Sequence, residues 1–186
     1  MTVVHTLWLP ILLSSVFVFI ASSIIHMAIP WHKSDHAKLP QEDKAMDALR
    51  SIGIPPGDYM VPNCSNHAEM KTPEFKEKMR KGPVMVVTVF PSGPFGIGKN
   101  LALWFLYLVV VNFFAAYVAC HALPSGAPYP EVFRFAGVTS FLGYSAAIWQ
   151  MSIWYRRSWV TTIKTTIDGL VYAGLTAGTF GWLWMR

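Results

Sequence analysis

Charged residues are scarce in this sequence. They make up 13% of its 186 residues, whereas a soluble domain usually carries about 25%. Hydrophobic residues account for 53%, and this balance is typical of a chain with bilayer-buried segments. The net charge of +5 does not indicate a nucleic-acid-binding surface, because ten of the fifteen basic residues lie between Pro30 and Asn100 among eight of the ten acidic ones. Nucleic acid is therefore not an expected partner.

Cysteine is also scarce. The two cysteines, Cys64 and Cys120, cannot form the disulfide framework of a small secreted domain. Cys120 ends a hydrophobic run and Cys64 lies in a polar segment, so the sequence gives no reason to pair them.

One long hydrophobic run organises the chain. Leu101–Cys120 is twenty residues without a charge, and Asn112 is its one side-chain amide. At 1.5 Å per residue, a helix of this length spans roughly 30 Å, the hydrocarbon thickness of a bilayer. A soluble core helix of that length usually has a polar face. The run predicts a transmembrane helix over residues 101–122.

Three further runs predict transmembrane helices, over residues 7–29, 133–155 and 165–184. The first could instead be a cleaved signal peptide, but no Lys or Arg precedes it and no convincing cleavage site follows. A retained helix ended by Pro30 is the favoured interpretation. The predicted fold is an all-α polytopic membrane protein with four transmembrane helices and a small α+β soluble segment, residues 31–100, between the first and second.

The soluble segment has its own helix and strand signals. Residues 41–51 predict a helix ended by Gly53, and Thr72-Pro73 starts a second that ends before Gly82. Residues 84–90 predict a strand, with residues 59–61 as its partner. So small a segment supports only a small core, so we expect it to lean on the membrane helices or on a partner protein.

The distribution of Lys and Arg predicts an orientation. The soluble segment carries ten basic residues, and Arg156, Arg157 and Lys164 lie in or beside the link between the third and fourth spans. Basic residues favour the cytoplasmic side. We therefore expect the soluble segment in the cytoplasm and both termini outside.

Two sets of residues are candidate ligands for a metal or cofactor. Met60, Cys64, His67 and Met70 are soft donors that suit Cu(I), and the alternative is a free cysteine beside a surface histidine. His5 and His121 lie at the outer ends of spans, where they could bind a haem iron or a pigment magnesium. Interfacial histidine is the alternative there. His26, His32 and His36 could also contribute ligands from the end of the first helix, but Pro30 and the polar surroundings favour solvated residues at the interface.

Asp168 is the one acid predicted within a span. An acid at that depth suggests a proton or ion site. It lies about one turn into the fourth span, where it could instead cap the helix and pair with Lys164 or Arg157.

A phosphate-loop spacing, Gly93 to Lys99, is rejected as a nucleotide site. Asn100 replaces the magnesium-binding Ser or Thr, Pro94 lacks an N–H, and the following helix is a membrane span. No nucleotide is expected.

Small residues in the fourth span predict close helix packing, within the chain or against another subunit. They are Gly169, Ala173, Gly174, Ala177, Gly178 and Gly181. The leading functional hypothesis is a non-catalytic membrane subunit of a larger complex, respiratory or photosynthetic for example, with lipids and other membrane subunits as partners. The alternatives are a copper-handling or cofactor-binding membrane protein and a small transporter. No nucleophile–base pair stands out, so no catalytic residue is assigned and an enzyme is not favoured.

Overall fold

Helices make up most of the chain, at 71%. The computed structural model describes residues 4–94 and 96–184. The chain divides into two compact units. The first, here called the helical unit, combines residues 1–37 with residues 96–186. The second, here called the inserted unit, is Lys38–Phe95.

In the helical unit a short 3-10 helix, Val4–Leu7, leads into α1 (Trp8–Ser23), which continues as a π-helical turn over Ile24–Ala28. Ile29 then adopts an extended backbone, with φ −92° and ψ 134°. This break is expected before Pro30, because a proline disfavours the helical conformation at the preceding residue. A short 3-10 turn, Pro30–His32, follows.

The remaining helices of this unit are α4 (Ile97–Ala122), α5 (Tyr129–Ser145), α6 (Trp149–Tyr155) and α7 (Trp159–Leu183). The helices α4, α5 and α7 begin four to six residues before the predicted spans. Hydropathy marks only the apolar part of a helix. The helical backbone begins earlier, as in the first turn of α5, which accommodates Pro130.

Within the part of the chain that the structure describes, two helices are long and apolar enough to cross a membrane, Trp8–Ala28 and Ile97–Ala122. The predicted third span is broken, because α5 ends at Ser145 and a 3-10 turn, Ala146–Ile148, precedes α6. The fourth corresponds to α7, which is 25 residues long but carries Lys164 and Asp168. The chain is thus mostly helical with two candidate membrane helices, and four spans remain a prediction.

The predicted small-residue stripe lies in α7, and much of it packs against α5 within the chain. Ala173 and Ala177 are buried, and a Cβ atom added at Gly169 would fall 1.7 Å from Ser145 Oγ. At Gly181 an added Cβ would meet the ring of Tyr129, and at Gly178 its hydroxyl. Gly174 differs, since nothing described lies within 4 Å of its added Cβ.

Asn112 connects three helices at the centre of the helical unit. Its side chain is fully buried, its amide donates to Ser15 Oγ of α1 at 2.9 Å, and its carbonyl accepts from Thr176 Oγ1 of α7 at 2.9 Å. Polar side chains between apolar helices commonly hold them together in this way.

The inserted unit contains α2 (Glu42–Ile52), β1 (Gly57–Val61), α3 (Pro73–Lys81) and β2 (Met85–Val89). The strands pair antiparallel, with Gly57 opposite Val89 and Val61 opposite Met85. The predicted two-stranded sheet is therefore confirmed.

The core of the inserted unit is small. Among the described residues of this unit, Phe75 is the one hydrophobic residue whose side chain is buried. Its backbone N–H donates to Thr72 Oγ1 at 3.2 Å, which is the expected N-cap of α3. On α2 the apolar residues Met46, Leu49 and Ile52 are exposed.

Candidate functional site

The helical unit brings five polar residues together where the chain leaves α1. They are called the His–Asp cluster here: His26, His32, Asp35, Lys164 and Asp168. The first three follow or end α1, and the last two lie one turn apart on α7. Residues four apart share a helix face, so Lys164 and Asp168 can meet the same segment.

His32 is the centre of the cluster. Its Nδ1 atom lies 2.6 Å from Asp35 Oδ2, and its Nε2 atom lies 2.8 Å from Asp168 Oδ2. Its side chain is 14% exposed, and that of Asp168 is 4% exposed. The imidazole is therefore fixed between two carboxylates. This corrects the expectation that His32 is solvated.

Lys164 holds the segment after α1 through three contacts. Its ammonium donates to the Trp31 carbonyl at 2.8 Å, to Ser34 Oγ at 2.9 Å and to Asp35 Oδ1 at 3.0 Å. These contacts match the three donors of an ammonium group. The charge also lies 5.6 Å from the centroid of the Trp31 ring, within the range of a cation–π interaction.

Asp35 is held as a carboxylate. Burial alone would raise its pKa, but hydrogen bonds from His32 and Lys164 and their charges outweigh that effect, so the pKa lies below its ordinary value. A charged Asp35 can accept from both partners at once.

His26 belongs to the π-helical turn, and its ring lies beside that of His32. The two rings stack with centroids 4.4 Å apart and planes within 7°. His26 Nδ1 lies 3.0 Å from the backbone carbonyl oxygen of Ser22. One ligand atom from each of His26, His32 and Asp168 lies within 4.8 Å of the other two.

The surroundings of both histidines resemble those of metal ligands. A metal-binding histidine usually donates its second ring N–H to a carboxylate or a backbone carbonyl, which fixes the ring. Asp35 offers His32 such an acceptor, and the Ser22 carbonyl offers one to His26. Two imidazoles and one carboxylate are donors that suit zinc or non-haem iron.

A cavity of about 780 Å³ lies beside the cluster within the helical unit. His26 and Asp168 line it, together with residues of α1, α4, α5 and α7. Its walls are mostly apolar and aromatic, and they include Trp104, Tyr107, Tyr144 and Tyr172.

Tyr172 has a buried hydroxyl without a hydrogen-bond partner among the described residues. An unsatisfied buried hydroxyl typically costs about 1–3 kcal/mol. Tyr172 also follows Asp168 by one helical turn and lines the same cavity. The wall therefore contains a polar group with unused hydrogen-bonding capacity.

The structure brings together only some of the residues that the sequence indicated. The sequence predicts that Asp168 pairs with Lys164 or Arg157, but its described ion pair is with His32, and that of Lys164 is with Asp35. The exposed Arg157 donates its backbone N–H to Met151. The pair of His32 and Asp35 was not predicted from the sequence, because their spacing of three beside a helix end indicates only their contact with each other and not their contacts with α7.

The other candidate ligands are not part of the cluster. Met60, Cys64, His67 and Met70 lie in the inserted unit, and among described residues Cys64 and His67 join no group of three converging His, Cys, Asp or Glu side chains. His121 is exposed, and its Nδ1 contacts the Tyr117 carbonyl at 2.7 Å. The side chain of His5 lies outside the part of the chain that the structure describes.

The fold and the cluster together define an α-helical protein with two candidate membrane-spanning helices and a His–Asp cluster beside an apolar cavity. No protein-family model matches the chain, and no characterised protein or solved structure matches it significantly.

Proposed function

We propose that this chain is a membrane protein of the cofactor-binding class, which binds a divalent metal ion through His26, His32 and Asp168. The convergence of one ligand atom from each residue within 4.8 Å carries the proposal. Metal binding would replace the proton between His32 Nε2 and Asp168 Oδ2, while Asp35 would keep accepting from His32 Nδ1. The ring of His26 would turn out of its parallel stack on His32, because an imidazole nitrogen binds an ion that lies in its own ring plane. Both histidines would then bind as neutral imidazoles.

Zinc or ferrous iron fits this donor set better than Cu(I). The three residues offer nitrogen and oxygen, whereas Cu(I) favours thiolate and thioether sulfur. Three protein ligands also leave a coordination position open, as in catalytic zinc sites. The predicted copper ligands Cys64 and His67 serve as the competing site in the test.

Purified protein stripped with a chelator is expected to take up one Zn²⁺ per chain. Asp168→Asn and His26→Ala should each weaken binding at least roughly 100-fold, because each removes one of three ligands. The control variants His36→Ala and Cys64→Ser should bind like the unchanged protein. The measurement is metal content after dialysis against a series of buffered Zn²⁺ concentrations, with Co²⁺ absorption reporting the coordination.

Two results with the variants would contradict the metal site. One is unchanged Zn²⁺ affinity in both Asp168→Asn and His26→Ala, provided that each variant elutes as a folded particle. The other is loss of binding in Cys64→Ser, which would move the site to the inserted unit. A folded protein that takes up no metal would reduce the cluster to a structural ion network.

We further propose the four-span topology, with α5–α6 and α7 as the third and fourth spans. The inserted unit would be cytoplasmic and both termini outside. Support comes from the two candidate spans and from the basic residues of the link between α6 and α7.

The second candidate function is that of an accessory subunit in a larger membrane complex. The exposed apolar residues Met46, Leu49 and Ile52 of α2, in a unit with a small core, favour a protein partner. The small-residue stripe no longer argues for one, because much of it packs within the chain. A transport role for Asp168 gains no specific support, since its carboxylate contacts His32.

Gentle detergent extraction of native membranes is expected to yield this 20.8 kDa chain in a larger stoichiometric assembly. Particle mass and mass spectrometry of the co-purified proteins give the measurement. A chain recovered alone at every detergent concentration would count against the subunit proposal and leave the metal site unaffected.

A further inference from the structure

We infer that the cavity beside the His–Asp cluster binds a long-chain fatty acid, with its carboxylate at the cluster and its hydrocarbon chain among the aromatic walls. Its volume of about 780 Å³ falls within the range of small-molecule sites, roughly 300–1,000 Å³. The choice of ligand rests on the apolar wall of the cavity, the charge at the His–Asp cluster and the unpartnered hydroxyl of Tyr172.

The wall indicates a molecule that arrives from the bilayer. Both candidate membrane helices line the cavity, the first through Met27 and the second through Leu101 and Leu103. An apolar cavity between membrane helices is accessible to lipid-soluble molecules and disfavours polar solutes. The hydrocarbon part of the ligand follows from this position.

The charge of the cluster indicates an anionic head group, and this step rests on the proposed function. Lys164 and Asp35 pair with each other and do not line the cavity, so a divalent ion bound by neutral histidines would supply two positive charges against the one negative charge of Asp168. The surplus positive charge and the open coordination position favour a carboxylate, whose oxygens bind zinc and iron.

Tyr172 supplies the independent polar observation. The residue lines the cavity, its side chain is buried, and its hydroxyl has no partner among the described residues. It lies one helical turn from Asp168 on α7, so a carboxylate bound near Asp168 would lie on the same helix face and offer this hydroxyl an acceptor. A second tyrosine of the cavity wall, Tyr144 on α5, already lies 3.4 Å from Thr176 Oγ1.

The test uses a photoreactive fatty acid with a diazirine near its carboxyl end and the purified full-length protein. Labelling should map to cavity residues and fall at least tenfold in Ala147→Trp, which fills the cavity. The matched control is Ala146→Trp, because Ala146 precedes it in the same turn but does not line the cavity. Both variants must elute as folded particles.

A fatty alcohol with the same diazirine tests the head group. It should label the Zn²⁺-loaded protein at least tenfold less than the acid, and Tyr172→Phe should weaken labelling by the acid. Equal labelling by acid and alcohol would overturn the carboxylate assignment. Labelling that is equal in Ala147→Trp and Ala146→Trp, or spread over the lipid-exposed helix surface, would overturn the cavity site.

Measuring Zn²⁺ uptake on the same samples separates the two proposals. If the protein takes up Zn²⁺ but Ala147→Trp does not reduce labelling, the fatty-acid site is refuted and the metal site is unaffected. Labelling that depends on Ala147 in protein that takes up no Zn²⁺ would refute the metal site and confirm the cavity as the binding place.

Discussion

Lys164→Met should lower the free energy of unfolding of the helical unit by about 3 kcal/mol. The side chain of Lys164 is 13% exposed, and its ammonium donates to the Trp31 carbonyl and to Asp35. Methionine keeps the length of the side chain but leaves the buried Asp35 carboxylate without its lysine partner. Removing one member of a buried ion pair usually costs more than the pair contributes, because an uncompensated charge remains.

The double variant Lys164→Met/Asp35→Asn provides the control. It removes both charges, so it should recover at least half of the loss, and the two substitutions should be clearly non-additive. Chemical denaturation of metal-free protein in mixed micelles gives the free energies. A loss below about 1 kcal/mol for Lys164→Met, or simple additivity, would show that solvent already screens this pair.

Gly169→Leu is the second substitution with a large expected effect, again about 3 kcal/mol or more. A Cβ atom at this position would lie 1.7 Å from Ser145 Oγ and 3.1 Å from Ser145 Cβ. The hydroxyl could rotate away, but the rest of a leucine side chain would still push α7 from α5. Loss of this packing would also move Asp168, the neighbouring residue, away from His32.

Gly174→Leu is the matched control on the same helix. Nothing described lies within 4 Å of a Cβ added there. Leucine has a higher helix propensity than glycine, by about 1 kcal/mol. Gly174→Leu should therefore leave stability unchanged or raise it slightly. Thermal unfolding of both variants in one detergent would test the contrast, and an equal loss in both would contradict the observed packing.

These two glycines show what a spacing rule can and cannot predict. Both were predicted to belong to one stripe of small residues, yet Gly169 packs on Ser145 while nothing described lies within 4 Å of a Cβ added at Gly174. The two are five residues apart, about 140° around a helix, so Gly174 lies off the row that Gly169 forms with Ala173, Ala177 and Gly181. Spacing separates the two rows, but which row meets a neighbouring helix depends on how the helices pack, which no local pattern records.

The same limit applies to the broken third span. Its apolar composition predicted one continuous helix, but α5 ends at Ser145. The hydroxyl of Tyr107, on α4, donates to the Gly143 carbonyl just before the break. This contact between two helices is invisible to hydropathy, whereas local signals such as Thr72 before α3 were read correctly.

Two of the five residues of the His–Asp cluster could be predicted from the sequence. Asp168 and Lys164 could be singled out because charges are rare in apolar segments. Their partner His32 could not, because it lies 136 residues from Asp168 and follows Pro30, which suggested a solvated helix end. The segment after α1 contacts α7 only in the folded chain.

The long separation between the partners has a consequence for synthesis. Asp35 is made 129 residues before Lys164, so at about 5–20 residues per second it waits on the order of ten seconds for its lysine. A chain that stops before α7 keeps His32 and Asp35 without those partners at the end of an apolar helix. The contacts of His32 and Asp35 with α7 therefore form only after α7 has been made.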